Sequence, residues 1–154
     1  VSMPAREEVN DQVQRTIEAG ATLKLGGEIP NSEGSYYPLT MLSGVAPGMP
    51  AFDEEIFGPV FTVISAEDDG HAIELANQTE FGLGSAIFTQ NIEKGEEIAK
   101  TKMQSGACFV NDFVKSDPRL PFGGIKMSGY GRELSDYGMM EFVNIKTIVV
   151  KSTD

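Results

Sequence analysis

Few residues of this chain could carry covalent chemistry. It has one cysteine, Cys108, and one histidine, His71. Cys108 lies in Ser105-Gly106-Ala107-Cys108-Phe109-Val110, an apolar run of strand length. A thiol becomes a nucleophile when a neighbouring cation or helix N-terminus stabilises its thiolate. Nothing local supplies either, so Cys108 reads as a small hydrophobe of a strand. His71 follows Asp68-Asp69-Gly70 at a helix start and reads as a solvated helix-surface residue. A general base needs a partner in hydrogen-bond reach, and the sequence indicates none for it. One Cys and one His cannot build a Cys/His zinc site or a disulfide, so no metal is expected. Asp53-Glu54-Glu55 are adjacent carboxylates, which point different ways and read as a solvated turn. Gly82-Leu83-Gly84 and Gly129-Tyr130-Gly131 lack the third glycine of a dinucleotide fingerprint. The residues amount to half a mechanism: loops rich in Gly, Pro and aromatics that suit the wall of a site, without an activated nucleophile. No catalytic residue is assigned.

The elements that would position these loops alternate. Residues 4–20 read as a helix, with Pro4 in the first turn, Val9, Val13 and Ile17 on one stripe, and Gly20 at the end. Ala21 to Leu25 is a short strand, 28–38 a surface loop, and Tyr36 to Leu42 a further strand. Val60 to Ile64 is β-branched and aromatic and reads as a buried strand. Asp68 or Asp69 caps a helix to about Gln78. Gly84 to Thr89 is strand-like, Ile92 to Lys102 an amphipathic helix, and Ala107 to Val110 a strand. A loop over 113–131, a short helix from Arg132 to Phe142 and a last strand from Ile145 to Val150 complete the chain. The alternation predicts an α/β fold with a mainly parallel sheet and flanking helices. The last strand has no helix after it and suits addition to another sheet.

A formal net charge of −11, with no Lys/Arg cluster, argues against nucleic acid. No apolar run approaches the ~20 residues of a membrane helix. The start, Val1 to Arg6, lacks the basic and apolar regions of a signal peptide. A single cysteine fits a reducing compartment, so a cytoplasmic location is expected.

Three segments, in order, resemble one family. Glu54-Glu55-Ile56-Phe57-Gly58-Pro59-Val60 is similar to the EEIFGPV segment of aldehyde dehydrogenases. Phe81 to Thr89 resembles their FGLxxxIFT strand entry, and Pro121 to Leu134 their PFGGxKxSGxGREL signature. Gly20-Ala21 with Leu25-Gly26-Gly27 resembles the turn that follows the family's nucleophile. The resemblance covers essentially the whole chain. Val114-Lys115-Ser116-Asp117-Pro118-Arg119-Leu120-Pro121-Phe122 and Glu141 to Thr147 narrow it to bacterial succinate-semialdehyde dehydrogenases.

The resemblance implies that the chain is the C-terminal part of such an enzyme: residues 1–143 in the catalytic domain and 144–154 an oligomerisation strand and tail. Glu55 matches the glutamate that hydrogen-bonds the nicotinamide ribose, and Phe57 the aromatic beside the nicotinamide half. Phe122 matches the aromatic of the substrate tunnel, and Ser116 a serine that helps bind the substrate's far carboxylate. The four glycines Gly123, Gly124, Gly129 and Gly131 are expected to serve the backbone, and Lys126 and Arg132 to be structural. The cysteine nucleophile, general-base glutamate, oxyanion-hole asparagine and most of the cofactor domain are implied to precede Val1, so the chain alone is expected to be inactive. The parent would oxidise an aldehyde to an acid through a cysteine thioester, with NAD or NADP as the cofactor, as a homo-oligomer joined through the last strand. Two alternatives stay open: an aldehyde dehydrogenase for another substrate, and a standalone, non-enzymatic assembly module.

Overall fold

The computed structural model describes residues 2–153. Two compact units divide it, Val1–Leu75 and Ala76–Asp154.

The first unit opens with α1, Met3–Glu18. Ser2 caps it, its hydroxyl accepting from the Ala5 N–H at 3.3 Å. Val9 and Val13 are buried on one face as the stripe requires, and Ile17 packs partly against the same cluster. Gln12 and Thr16 are buried beside them. The Thr16 hydroxyl donates to the Gln12 carbonyl at 2.7 Å and accepts from the Ala51 N–H at 3.0 Å, so its burial leaves no bond unmade. Three strands follow: β1, Thr22–Leu25; β2, Thr40–Ser43; and β3, Val60–Val63. They form one mixed sheet in the order β1-β2-β3, with β1 antiparallel and β3 parallel to β2. The central strand buries Thr40 and Leu42 on the face that meets Val13, Ala21 and Val45.

Two expectations change here. The strand expected from Tyr36 begins only at Thr40. Pro38 has no N–H for a ladder, and its carbonyl accepts the Thr40 hydroxyl at 3.0 Å, which holds the approach in a loop. Val60–Val63 is not buried: Phe61 is 58% and Val63 48% exposed. Phe61 and Val63 share with Met41 the sheet face turned away from the core cluster, which has no covering layer within the unit, while Val60 on the other face packs partly against that cluster. A one-turn helix, α2, Pro50–Asp53, was not expected.

The division between the units falls inside α3, Asp69–Gln78. Asp68 provides the expected cap, its carboxylate accepting from the His71 N–H at 2.8 Å. The second unit is a βαβ crossover. Strand β5, Gly84–Ile87, and strand β6, Ala107–Val110, pair in parallel around α4, Ile92–Thr101. The two-residue strand β4, Phe81–Gly82, pairs antiparallel with β7, Ile125–Lys126, inside the segment expected to be a loop. The α/β class holds, with mixed rather than mainly parallel sheets. The last helix, α5, is Ser135–Met140 rather than Arg132 to Phe142. Leu134 and Ser135 have φ of 64° and 51°, a left-handed geometry that a right-handed helix cannot continue through. Residues 143–153 form no helix or strand, and Ile145, Ile148, Val149 and Val150 are each at least 74% exposed. The expected last strand is thus unpaired within this chain, because a ladder needs a neighbouring strand and none among the described residues lies beside it.

Candidate functional site

Glu55 and Phe57 sit on the loop between α2 and β3 in the first unit. Helix α1 holds the loop at two points. The Glu54 carboxylate takes the Arg15 guanidinium end-on, Nη1 to Oε1 at 2.9 Å and Nη2 to Oε2 at 3.0 Å. The Gln12 amide donates to Glu54 Oε2 at 3.0 Å and to the Glu55 carbonyl at 3.3 Å. Past the loop, a Cβ on Gly58 would stand 2.8 Å from both methyls of Val9, so glycine lets the backbone lie on the helix. Anchored in this way, the loop leaves the Glu55 and Phe57 side chains exposed, with Ile56 between them half-buried. Phe57 is 83% exposed. Glu55 is exposed, and no described residue bonds its carboxylate. A free carboxylate two residues from an open aromatic ring can accept from a diol and cover a flat ring.

The neighbouring carboxylates are all exposed, as expected of a solvated turn, yet they divide their work. Glu54 is structural. The Arg15 hydrogen bonds, followed by that of Gln12, pull its carboxyl down from the ordinary 4.5 to about 2. A depressed folded-state pKa stabilises the fold above the unfolded value and loses that stabilisation as pH falls through the folded one. Arg15→Ala should therefore melt a few degrees below the native chain at neutral pH, and the gap should close between pH 4.5 and about 2. Thermal melts across that range, at low salt because both side chains are partly exposed, check this. A gap still full at pH 2 would locate the effect in the packing of the arginine stem.

Phe122 and Ser116 belong to the second unit. Phe122 is fixed by a two-way bridge to Glu133, its N–H donating at 2.9 Å and its carbonyl accepting at 2.8 Å. The next residues, Gly123 and Gly124, pass so close to Gly106 and Ser128 that a Cβ at Gly106 would collide with the Gly123 carbonyl. Arg132 ties the same turn by donating to the Gly124 carbonyl at 3.0 Å, and Lys126 reaches the Asn77 and Thr79 carbonyls at 2.7 and 3.0 Å. Both cations are structural, as expected. Half-buried Phe122 lines an open groove with Leu83, Tyr130 and Phe142.

Ser116 is exposed on the segment between β6 and β7, and no described residue bonds its hydroxyl. Ion pairs stand on either side of it, Lys115 with Asp112 at 2.6 Å and Arg119 with Asp117 at 2.6 Å. The strand end before it is pinned by Asn111, which donates to the Thr89 carbonyl and accepts from the Thr89 N–H, both at 2.8 Å. Asn111 takes φ of 56°, a left-handed conformation that asparagine tolerates.

Cys108 lies in β6 opposite Ser85, half-buried rather than fully enclosed. His71 is half-buried as well, and its Nδ1 accepts from the Glu67 N–H at 3.3 Å. That local bond is a helix-start contact rather than a catalytic pairing. Among the described residues, no three His, Cys, Asp or Glu side chains gather as a metal site, and no helix is long and apolar enough to cross a membrane. Sequence reasoning missed Gln12 and Arg15. Their three-residue spacing beside the apolar stripe of α1 was the available signal.

A model of the aldehyde dehydrogenase family matches residues 1–148. A succinate semialdehyde dehydrogenase [NAD(P)+] of Escherichia coli is 48% identical over 143 residues, covering 93% of this chain and 31% of that protein. A probable succinate-semialdehyde dehydrogenase [NADP(+)] of Synechocystis is 46% identical, covering 89% and 30%. Among solved structures, succinic semialdehyde dehydrogenase of Streptococcus pyogenes, in complex with NADP+, superposes with a TM-score of 0.92 at 40% identity, over 98% of this chain and 33% of that one. An aldehyde dehydrogenase of Mycobacterium tuberculosis complexed with NAD+ gives 0.86 at 34% identity, over 92% and 29%. The chain spans about a third of the length of these relatives.

Proposed function

Because the chain belongs to the aldehyde dehydrogenase family, we propose that it forms the C-terminal part of an NAD(P)-dependent succinate-semialdehyde dehydrogenase. The observation that carries the reading is the division of labour at Glu54-Glu55. One carboxylate is consumed in holding the loop and the other is left free beside Phe57. This donor set fits a nicotinamide nucleotide: Glu55 would accept from the ribose hydroxyls, and Phe57 would pack beside the nicotinamide half. The chemistry that a bound NAD(P)+ would supply there is that of a hydride acceptor for oxidation of the aldehyde. Phe122 would wall the tunnel along which the aldehyde enters, and the Ser116 hydroxyl would donate to the carboxylate at its far end. The nucleophilic cysteine that forms the thioester, and the base that activates water to hydrolyse it, belong in this reading to the rest of the enzyme. Residues 144–154 would pair with a partner subunit, and the enzyme would work in the cytoplasm.

The test is an NAD(P)H absorbance assay on the full-length enzyme with succinate semialdehyde and with an uncharged aldehyde of equal length. Ser116→Ala should raise KM for succinate semialdehyde about tenfold, the worth of one hydrogen bond to a charged group, and barely change it for the uncharged aldehyde. The 154-residue chain alone should give no turnover. Equal effects on both aldehydes would remove Ser116 from the carboxylate site, and an enzyme indifferent to succinate semialdehyde would refute the substrate assignment.

A further inference from the structure

Ser116 lies within a segment whose nearby charges are already paired. Lys115 is held by Asp112, and Arg119 by Asp117. The Asp117 carboxylate takes three donors from one residue: the Arg119 N–H at 2.9 Å, Nε at 2.9 Å and Nη2 at 2.6 Å. The turn is closed again by the Leu120 N–H donating to the Asp117 carbonyl at 2.9 Å, and its far side is tied by the Ser135 N–H donating to the Pro118 carbonyl at 3.1 Å. A segment without helix or strand is thus stapled immediately after Ser116. The side chain of Asp117 is 27% exposed, against 85% for Arg119, as fits a carboxylate covered by the guanidinium that binds it. The Arg119 bonds also keep the Asp117 carboxyl below its usual range, so the staple persists in mild acid.

We propose that Asp117, through its fork with Arg119, is a positioning residue that fixes Ser116 for recognition of the substrate's distal carboxylate. This rests on the reading of Ser116 given above. Neither Lys115 nor Arg119 is then the carboxylate's counter-charge, since each is already compensated by its own aspartate. The segment contributes one neutral, oriented donor.

The sign of one substitution separates this role from simple electrostatics. An aspartate beside an anion-binding site repels the anion, so removing it should tighten binding if charge alone mattered. Positioning predicts the reverse. In the full-length enzyme, Asp117→Ala should raise KM for succinate semialdehyde about tenfold, as losing the Ser116 bond would, and leave KM and kcat for an uncharged aldehyde of equal length within about twofold. The double variant Ser116→Ala/Asp117→Ala should be no worse than Ser116→Ala, because coupled groups are non-additive. Asp117→Asn, which keeps an acceptor for the Arg119 N–H, should recover part of the loss. Arg119→Ala leaves Asp117 in place and opens the fork from the other side, and it should show the same selective rise. Loss of its cation alone would also raise that KM, so the sign of the Asp117→Asn change against the native enzyme supplies the answer if Asp117→Ala fails to fold. A lower KM for succinate semialdehyde in Asp117→Ala would overturn the inference, as would additive losses in the double variant. If Ser116→Ala is selective and neither Asp117→Ala nor Arg119→Ala is, positioning fails while the function stands. If the native enzyme shows no preference for the charged aldehyde, both fall.

Discussion

Gly106→Ala is expected to unfold the second unit around Phe122, at a cost of at least ~3 kcal/mol and a melting midpoint lowered by about 10 °C. The new methyl would enter the space of the Gly123 carbonyl oxygen and also press on Gly123 C at 2.7 Å and Gly124 Cα at 3.1 Å. All three are backbone atoms, which cannot rotate aside. They belong to the turn after Phe122, so relieving the clash breaks the two-way bridge to Glu133 as well. Gly95→Ala is the calibration. Its methyl would meet Thr89 Cγ2 at 2.8 Å and Val110 Cγ1 at 2.9 Å, side-chain methyls that can shift by a few tenths of an ångström. It should cost about 1–2 kcal/mol. Thermal melts of the two variants check the order, and equal midpoints would show that the Gly106–Gly123 contact relaxes freely.

Glu55→Gln should lower kcat/KM for the cofactor by about 10–100-fold in the full-length enzyme, since each hydrogen bond to a charged acceptor is worth ~1.5–3 kcal/mol. Shape is kept and one acceptor oxygen remains, so the loss reports the charge. No described residue bonds the Glu55 carboxylate, so the melting midpoint should not move. Glu54→Gln should do the opposite, lowering the midpoint by loosening Arg15 and leaving the kinetics closer to native. Steady-state rates and melts on the pair read this out. Unchanged kinetics in Glu55→Gln would take Glu55 out of the proposed ribose site.

The elements read from the sequence best were those whose determinants are local. The stripe Val9, Val13, Ile17 and the cap at Asp68 need only helical periodicity and a short polar side chain, and both stand as expected. The same holds for Ala107–Val110, which matches residue for residue. The failures involve partners far along the chain. Val60–Val63 has the composition of a buried strand, but burial depends on what covers it. The run from Ile145 to Val150 has strand composition too, yet pairing needs a neighbour. Leu134 and Ser135 carry no local sign of the left-handed turn that delays α5.

The sequence by itself determined the family resemblance and which side chains are candidates, because motif order and residue chemistry are one-dimensional facts. It could not rank Glu54 against Glu55, two identical carboxylates side by side. The tertiary structure decided that, because only folding brings Arg15 and Gln12 across some 40 positions to neutralise one carboxylate and leave the other free. In the same way only folding showed that the charges flanking Ser116 are already paired. A charge in a sequence becomes a site or a staple according to the partner the fold places within hydrogen-bond reach.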